Sequence, residues 1–252
     1  MAAKYEDSFW KTIWEFLPGI LKFFSIVSIV GLLLNFFSLA VTKTAVVIDG
    51  GTYDVSIQRN YNYAEGKSDA SVKLLYFEDF ECPHCRDNAS IMTQVKTTYD
   101  DRVQFVYKNF PLESIHIYAK LLAQAAQAAN KQGKFMPFAD KVFDLQDGNK
   151  YSNADLDGVA ASAGLDVTQF DTDRNSDLMA TQVSNDLQDL QDVELPANSD
   201  GVSKPSGSMT SSDNQSLGTP MSILYKDGKV VDWWTGGITI DQLNSKIDNA
   251  LN

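Results

Sequence analysis

Lys73–Cys85, KLLYFEDFECPHC, is an apolar run that ends on the only two cysteines of the 252-residue chain. Pro83 and His84 separate Cys82 from Cys85, so the sulfurs can close a small disulfide ring or open as a dithiol. The run before them reads as a buried strand, and RDNASIMTQVKTTY (86–99) reads as a helix. Cys82 then falls where a strand feeds a helix N-terminus, among unpaired backbone N–H groups at the positive end of the macrodipole. Both features favour the thiolate, the reactive form in disulfide exchange. Pro83 suits the first helical turn, because its φ is already helical and no partner waits for its missing N–H. Cys82 is the candidate nucleophile and is expected to carry the exposed sulfur. Cys85, one turn inside, is the candidate resolving thiol. Pro83 and His84 are candidates for tuning the thiolate, His84 by an N–H or a partial positive charge.

Two plainer readings compete. Zinc would need further ligands, and the chain offers only His84 and His116 with no second cysteine pair. An inert structural disulfide is the stronger rival, but a ring this small closes almost no loop and adds little stability by chain entropy. Redox chemistry keeps most of the weight.

Three stretches strengthen it: LLYFEDFECPHC (74–85), NFPLESIHIYAKLLAQAAQAA (109–129) and LGTPMSILYKDGKVV (217–231). Together they resemble the DsbA-like branch of thioredoxin-fold thiol–disulfide oxidoreductases, and within it the membrane-anchored, single-domain bacterial members. The resemblance runs from about Ser71 to the C-terminus, apart from one loop. It implies an α/β thioredoxin fold with an all-helical insertion, and a cis peptide at Thr219-Pro220 facing the C-x-x-C. The Thr219 backbone would then be free to pair with an extended substrate. One position departs from the family. Six residues before the first cysteine, where relatives often carry a buried acid that aids proton transfer, this chain has Tyr76. Proton handling then falls to water or to Glu78, which alternation places on the Tyr76 face with Asp79 on the other.

The N-terminus is the second strong signal. Phe23–Val41 carries no charge and nearly spans a hydrocarbon core of ~30 Å. Phe9, Trp10, Trp14 and Phe16 suit the interface before it. The run is longer than a usual signal core, so a retained transmembrane helix is expected, with cleavage after Ala40 as the alternative. Lys4, Lys11 and Lys22 precede the span while only Lys43 lies close behind it, which places the N-terminus in the cytoplasm and the remainder outside. The first 41 residues balance those lysines against Glu6, Asp7 and Glu15, so the whole net charge of −12 falls on the rest of the chain. That argues against nucleic acid and anionic lipid as electrostatic partners.

The expected organisation is therefore a tail and anchor over 1–41, a connector over 42–70 and a catalytic domain over 71–252. In the connector, Ala45–Ile48 and Thr52–Ile57 read as short strands around Gly50-Gly51, and the polar NYNYAEGKSDAS (60–71) reads as loop. Strands are expected at Lys73–Phe77 and Val103–Lys108 with the helix Pro83–Tyr99 between them. A helical insertion over about 114–195 follows, with helices at Ile115–Asn130, Phe135–Leu145, Asn153–Ala163 and from about Thr168 to Val193. The Ser-, Gly- and Asp-rich 196–218 reads as a mobile loop. Met221–Tyr225 and Lys229–Trp234 form a hairpin around Asp227-Gly228, and Thr239–Leu251 closes the fold as a helix.

Other motifs only imitate chemistry. Asp171, Asp173 and Asn175 begin like a calcium loop, but Ser176 stands where Gly is needed and Gln182 where Glu is needed. His116 reads as a capping or core residue, and Trp233-Trp234 as sheet aromatics. The function expected is a thiol–disulfide oxidoreductase that donates the Cys82–Cys85 disulfide to reduced cysteines of folding exported proteins. It needs no metal and no soluble cofactor, and the resemblance implies a membrane reoxidant of the DsbB or VKOR kind. The alternatives are a reductase or isomerase of the same fold, and a non-enzymatic anchored module with a vestigial disulfide.

Overall fold

The structure, a computed structural model, describes residues 57–148, 151–193, 195–199 and 217–252, with the backbone of β1 (Val47–Ile48) and β2 (Gly51–Thr52). The expected anchor over 1–41, part of the connector and most of the expected 196–218 loop lie outside the described residues. Among the described residues no helix is long and apolar enough to cross a membrane.

Five strands make one mixed sheet: β3 (Tyr63–Gly66), β4 (Val72–Glu78), β5 (Val103–Asn109), β6 (Met221–Lys226) and β7 (Lys229–Thr235), in the order β3-β5-β4-β6-β7. β4 and β5 run parallel, and the other neighbours are antiparallel. The parallel pair is joined by the crossover helix α1 (Pro83–Tyr99), the connection that parallel neighbours require. β4 lies at the centre and is buried on both faces, which explains its unbroken apolar reading. Leu74 and Tyr76 pack in one core cluster with Met92 and Val95 of α1. Leu75 and Phe77 pack in a second cluster on the other face. Trp233 and Trp234 are divided between those two clusters, so they are core aromatics on opposite faces and form no joint surface.

Between β5 and β6 lie α2 (Ala119–Lys131), α3 (Phe135–Asp144), a short 3-10 turn (Leu145–Gly148), α4 (Asn153–Ser162), α5 (Val167–Arg174) and α6 (Asp177–Asp192). The chain closes with α7 (Ile240–Leu251), whose N-terminus carries a reciprocal cap between Thr239 and Gln242. Asp227 and Gly228 both have positive φ (49° and 78°), the backbone that a two-residue hairpin between β6 and β7 demands.

Three expectations need correction. Tyr63–Gly66, read as loop, is an edge strand on β5 with Tyr63 opposite Tyr107. Distant residues hold it: the Tyr63 ring stacks on Phe135 at 4.7 Å. At Gly66 (φ 80°) a Cβ would lie 2.3 Å from the Val103 carbonyl oxygen, so the close approach admits only glycine. The first insertion helix begins at Ala119 and not at Ile115, because His116 and Tyr118 are tied to Asp79 and Glu81 just beyond the end of β4. The long segment from about Thr168 to Val193 is two helices. The Ser176 hydroxyl accepts the Met179 N–H and starts α6 afresh, while Asn175 turns back to the Asp171 carbonyl.

Candidate active site

The site is built where β4 stops. The Asp79 carbonyl accepts the Cys82 N–H at 3.0 Å, which turns the chain, and Cys82 takes the extended N-cap backbone (φ −77°, ψ 121°) with Pro83 next. No side chain caps α1, and the Cys82 sulfur faces the backbone N–H groups of His84 and Cys85 in its first turn. The Cys82 carbonyl accepts the N–H groups of Cys85 (3.1 Å) and Arg86 (3.3 Å), and Gln146 of the 3-10 turn donates to the Phe80 and Cys82 carbonyls. The strand end, the helix start and the insertion thus grip the motif together.

Cys82 and Cys85 are both free thiols, and the Cys85 thiol bonds to the Cys82 sulfur. That bond is the largest influence holding Cys82 well below the usual thiol range, at about 5 against the opposing effect of burial. The Thr219 hydroxyl and the backbone N–H groups of Cys85 and His84 add to it. Burial, then the Cys82 hydrogen bond and charge, push Cys85 far the other way. The pair is therefore split into a stabilised thiolate and a stubborn thiol.

Opposite the motif, the Thr219-Pro220 peptide is cis, and the Cys82 thiol lies 3.4 Å from the Thr219 carbonyl oxygen. That carbonyl, expected to be open to substrate, here accepts from Cys82. The Thr219 hydroxyl is buried with no hydrogen-bond partner among the described residues, and its nearness helps to favour the Cys82 anion. This loop also covers Cys82. Cys82 was expected to expose its sulfur, yet the residue is only 5 % exposed, against 0 % for Cys85. A second correction concerns His84. It is exposed, and the group it turns toward the sulfur is its backbone N–H, not its imidazole.

Behind Cys85, Tyr76 and Glu78 share a face as alternation required. Both line a small cavity with Tyr107, Met136 and Asp140, and about 10 Å³ of it is open to a water centre, close to one molecule's need. Glu78 is 4 % exposed, and its Oε1 has no partner among the described residues. Burial first, then the charges of Asp79 and Asp140, raise its carboxyl to about 8. Its charge in turn helps to raise Cys85 and Tyr76. A group that holds its proton at neutral pH and feels the Cys85 thiol is placed to exchange protons with it.

Sequence reasoning missed two contributors. Asp79, read only as the residue on the other face, donates its backbone N–H to Cys85 Sγ at 3.4 Å. Its carboxylate takes His116 Nδ1–H at 2.8 Å, so the histidine read as a cap or core residue bonds to the motif. The stretch that carries His116 stood out in the sequence, but no spacing rule joins residues 79 and 116.

The comparisons with known proteins agree with this architecture. A family model described as Thioredoxin matches residues 59–197, more than half of the chain. Among curated proteins, the Na(+)/H(+) antiporter NhaA 1 of Mycolicibacterium vanbaalenii is 34% identical over 143 residues, which cover 56% of this chain and 23% of that protein. The chain thus spans less than a quarter of that relative's length, and the name describes the longer protein. Alpha-DsbA1 of Wolbachia pipientis superposes with a TM-score of 0.58 at 16% identity, covering 77% of this chain and 92% of that one. Oxidised BdbD of Bacillus subtilis gives 0.55 at 20% identity, covering 76% and 93%. At such identities the likeness is one of fold. The chain belongs to the thioredoxin family and has the fold of its DsbA-like thiol–disulfide oxidoreductases.

Proposed function

We propose that the protein is a membrane-anchored, extracytoplasmic dithiol oxidase that passes its Cys82–Cys85 disulfide to reduced cysteines of exported proteins. The observation that carries this reading is the split between the two thiols: Cys82 at about 5 and Cys85 far above the usual range. A substrate thiolate attacks Cys82 Sγ, the Cys82–Cys85 bond breaks, and its electron pair leaves on Cys85. Cys85 takes up a proton, for which Glu78, whose carboxyl keeps its proton up to about 8, is the candidate supply. The substrate's second thiolate then attacks its own sulfur in the mixed disulfide, and Cys82 departs as the stabilised thiolate. The substrate has lost two electrons, and the enzyme holds them as a thiolate and a thiol. Stabilising that thiolate favours the reduced enzyme, on the order of 60 mV at pH 7, since about 30 mV matches one pKa unit for two electrons.

Thr219 and Pro220 act as the loop against which an extended substrate lies, and Pro83 and His84 shape the helix start. The redox pair carries the electrons itself, so no soluble cofactor is needed. A quinone-linked membrane partner of the DsbB or VKOR kind restores the disulfide. The uncharged Phe23–Val41 and the lysines before it support anchorage with the catalytic domain, from about Ser71, outside the cytoplasm. Cleavage after Ala40 would release the same domain.

Equilibration of the protein against glutathione redox buffers tests the direction of transfer. The expected potential is at least as oxidising as about −180 mV, the range of protein disulfide isomerase. A value near the thioredoxin figure, about −270 mV, makes the protein a reductase and removes the oxidase reading. A pair that never equilibrates with the buffer is the vestigial disulfide of a binding module.

A further inference from the structure

The turn that delays α2 has one of the chain's two histidines at its centre. His116 Nδ1–H donates to Asp79 Oδ2 at 2.8 Å, and the Leu112 N–H donates to the same oxygen at 2.9 Å. Asp79 Oδ1 accepts the Glu81 N–H at 2.8 Å. The Asp79 side chain is wholly buried, while that of His116 is 17% exposed. The Asp79 main chain faces the other way, toward both cysteines. Its N–H lies 3.4 Å from Cys85 Sγ, and its carbonyl takes the Cys82 N–H at 3.0 Å. His116 does not cap α2 with its side chain, because the N-cap position is Tyr118 and lacks a side-chain bond.

We infer that the Asp79–His116 pair aims the Asp79 N–H at Cys85 and so sets how fast Cys85 displaces a group bound to Cys82. The inference rests on reading Cys85 as the resolving thiol. His116 is a positioning residue in it and touches no reacting atom. An N–H aimed at a sulfur favours its thiolate, and it does so along one direction only. That direction is held because the Asp79 carboxylate is fixed by three donors, and bonds to a carboxylate are among the strong ones. Without the His116 donor the buried carboxylate turns to find another, and the peptide plane that carries the Asp79 N–H turns with it. The affected step is balanced. Cys85 gives up its proton, its thiolate attacks Cys82 Sγ, the Cys82–Cys85 bond forms, and the sulfur formerly bound to Cys82 leaves as a thiolate.

The test uses the reduced full chain and the aromatic disulfide 5,5′-dithiobis(2-nitrobenzoate), followed by release of the coloured thiolate. In the first phase Cys82 forms a mixed disulfide and releases one equivalent. In the second phase Cys85 displaces the other equivalent. The reagent requires only the two thiols, so the result does not depend on the direction of transfer in the cell. Oxidation of a reduced dithiol peptide, run in parallel, tests that direction separately. His116→Ala is expected to slow the second phase at least about fivefold, the worth of a bond of about 1 kcal/mol, and to leave the first phase unchanged. His116→Asn, which offers an amide N–H near the place of Nδ1–H, restores the second phase. His116→Leu, similar in size to Asn but without a donor, stays slow and replaces the alanine variant should that one fail to fold. An unchanged second phase in the variants lacking a donor overturns the inference. So does an equal slowing of both phases, or an Asn variant as slow as Leu, since each marks a role in general packing.

Discussion

Cys82 and Cys85 sit one helical turn apart, but the regions around them differ in kind. The mouth, at the start of α1, gathers donors: the Cys85 thiol, the Thr219 hydroxyl and two backbone N–H groups. The wall behind Cys85 is tyrosines, apolar side chains and two carboxyls around a small cavity, with a single N–H aimed at the sulfur. The mouth favours an anion, and the wall resists one. The difference shows that the macrodipole alone does not set a thiol's character, since both sulfurs lie in the first turn of the same helix. Local donors and local burial decide, and they act on each cysteine through different parts of the chain.

The largest expected effect comes from breaking the link between the two regions. Cys85 supplies the strongest hydrogen bond to the Cys82 sulfur, so Cys85→Ala should raise the midpoint for Cys82 labelling by about one to two units, the worth of a bond to a charged group. Cys85→Ser keeps a hydroxyl donor and should raise it less. pH-dependent iodoacetamide labelling of the two variants decides the matter. Equal midpoints would mean that the mouth works without help from the wall.

The next effect sharpens the wall. The folded protein holds the Glu78 proton up to about 8, whereas the unfolded chain releases it near about 4.3. Between those values the native state binds more protons than the unfolded state, so stability falls as pH rises through the window. Glu78→Gln removes the penalty and should stabilise the protein by about 1–2 kcal/mol at pH 7, with the gain vanishing near pH 4. Urea unfolding at the two pH values measures it. A gain that persists at pH 4 would locate the effect in packing and not in ionisation.

The two regions also differed in how much of them could be read beforehand. β4, α1 and the β6–β7 hairpin carry strong local signals: a continuous apolar run, a proline in the first turn, and Asp-Gly between two strands. The motif's place at the start of α1 follows from those alone. What stayed hidden depends on partners far along the chain. The grip on Asp79 comes from His116, 37 residues away, while the approach of Thr219 to Cys82, across 137 residues, followed from the family resemblance and from no local pattern. β3 is polar, and only its pairing with β5 and the stacking on Phe135 make it a strand. The break between α5 and α6 is a different case. There 171–177, DTDRNSD, holds no apolar residue and Ser176 is a local helix-start residue, so the break is legible from the sequence itself.

The smallest expected effect sharpens the mouth and concerns the residue that its sequence made most prominent. An imidazole beside a thiolate is an obvious tuning group, and by that argument replacing His84 would make the protein a much poorer oxidant. The geometry argues otherwise. His84 is exposed, and it reaches the sulfur through its backbone N–H, which any residue other than proline supplies in the first turn of α1. His84→Ser should therefore move the Cys82 labelling midpoint by less than about half a unit, as expected for a solvent-screened side chain. Thr219→Val, which removes a buried hydroxyl from the same sulfur, should move it by about one unit. Labelling both variants beside the wild type, with circular dichroism as the check on folding, ranks the two contributions. If His84→Ser shifts the midpoint more than Thr219→Val does, the imidazole reaches the thiolate after all, and the mouth is tuned by a side chain where the geometry assigns a peptide group.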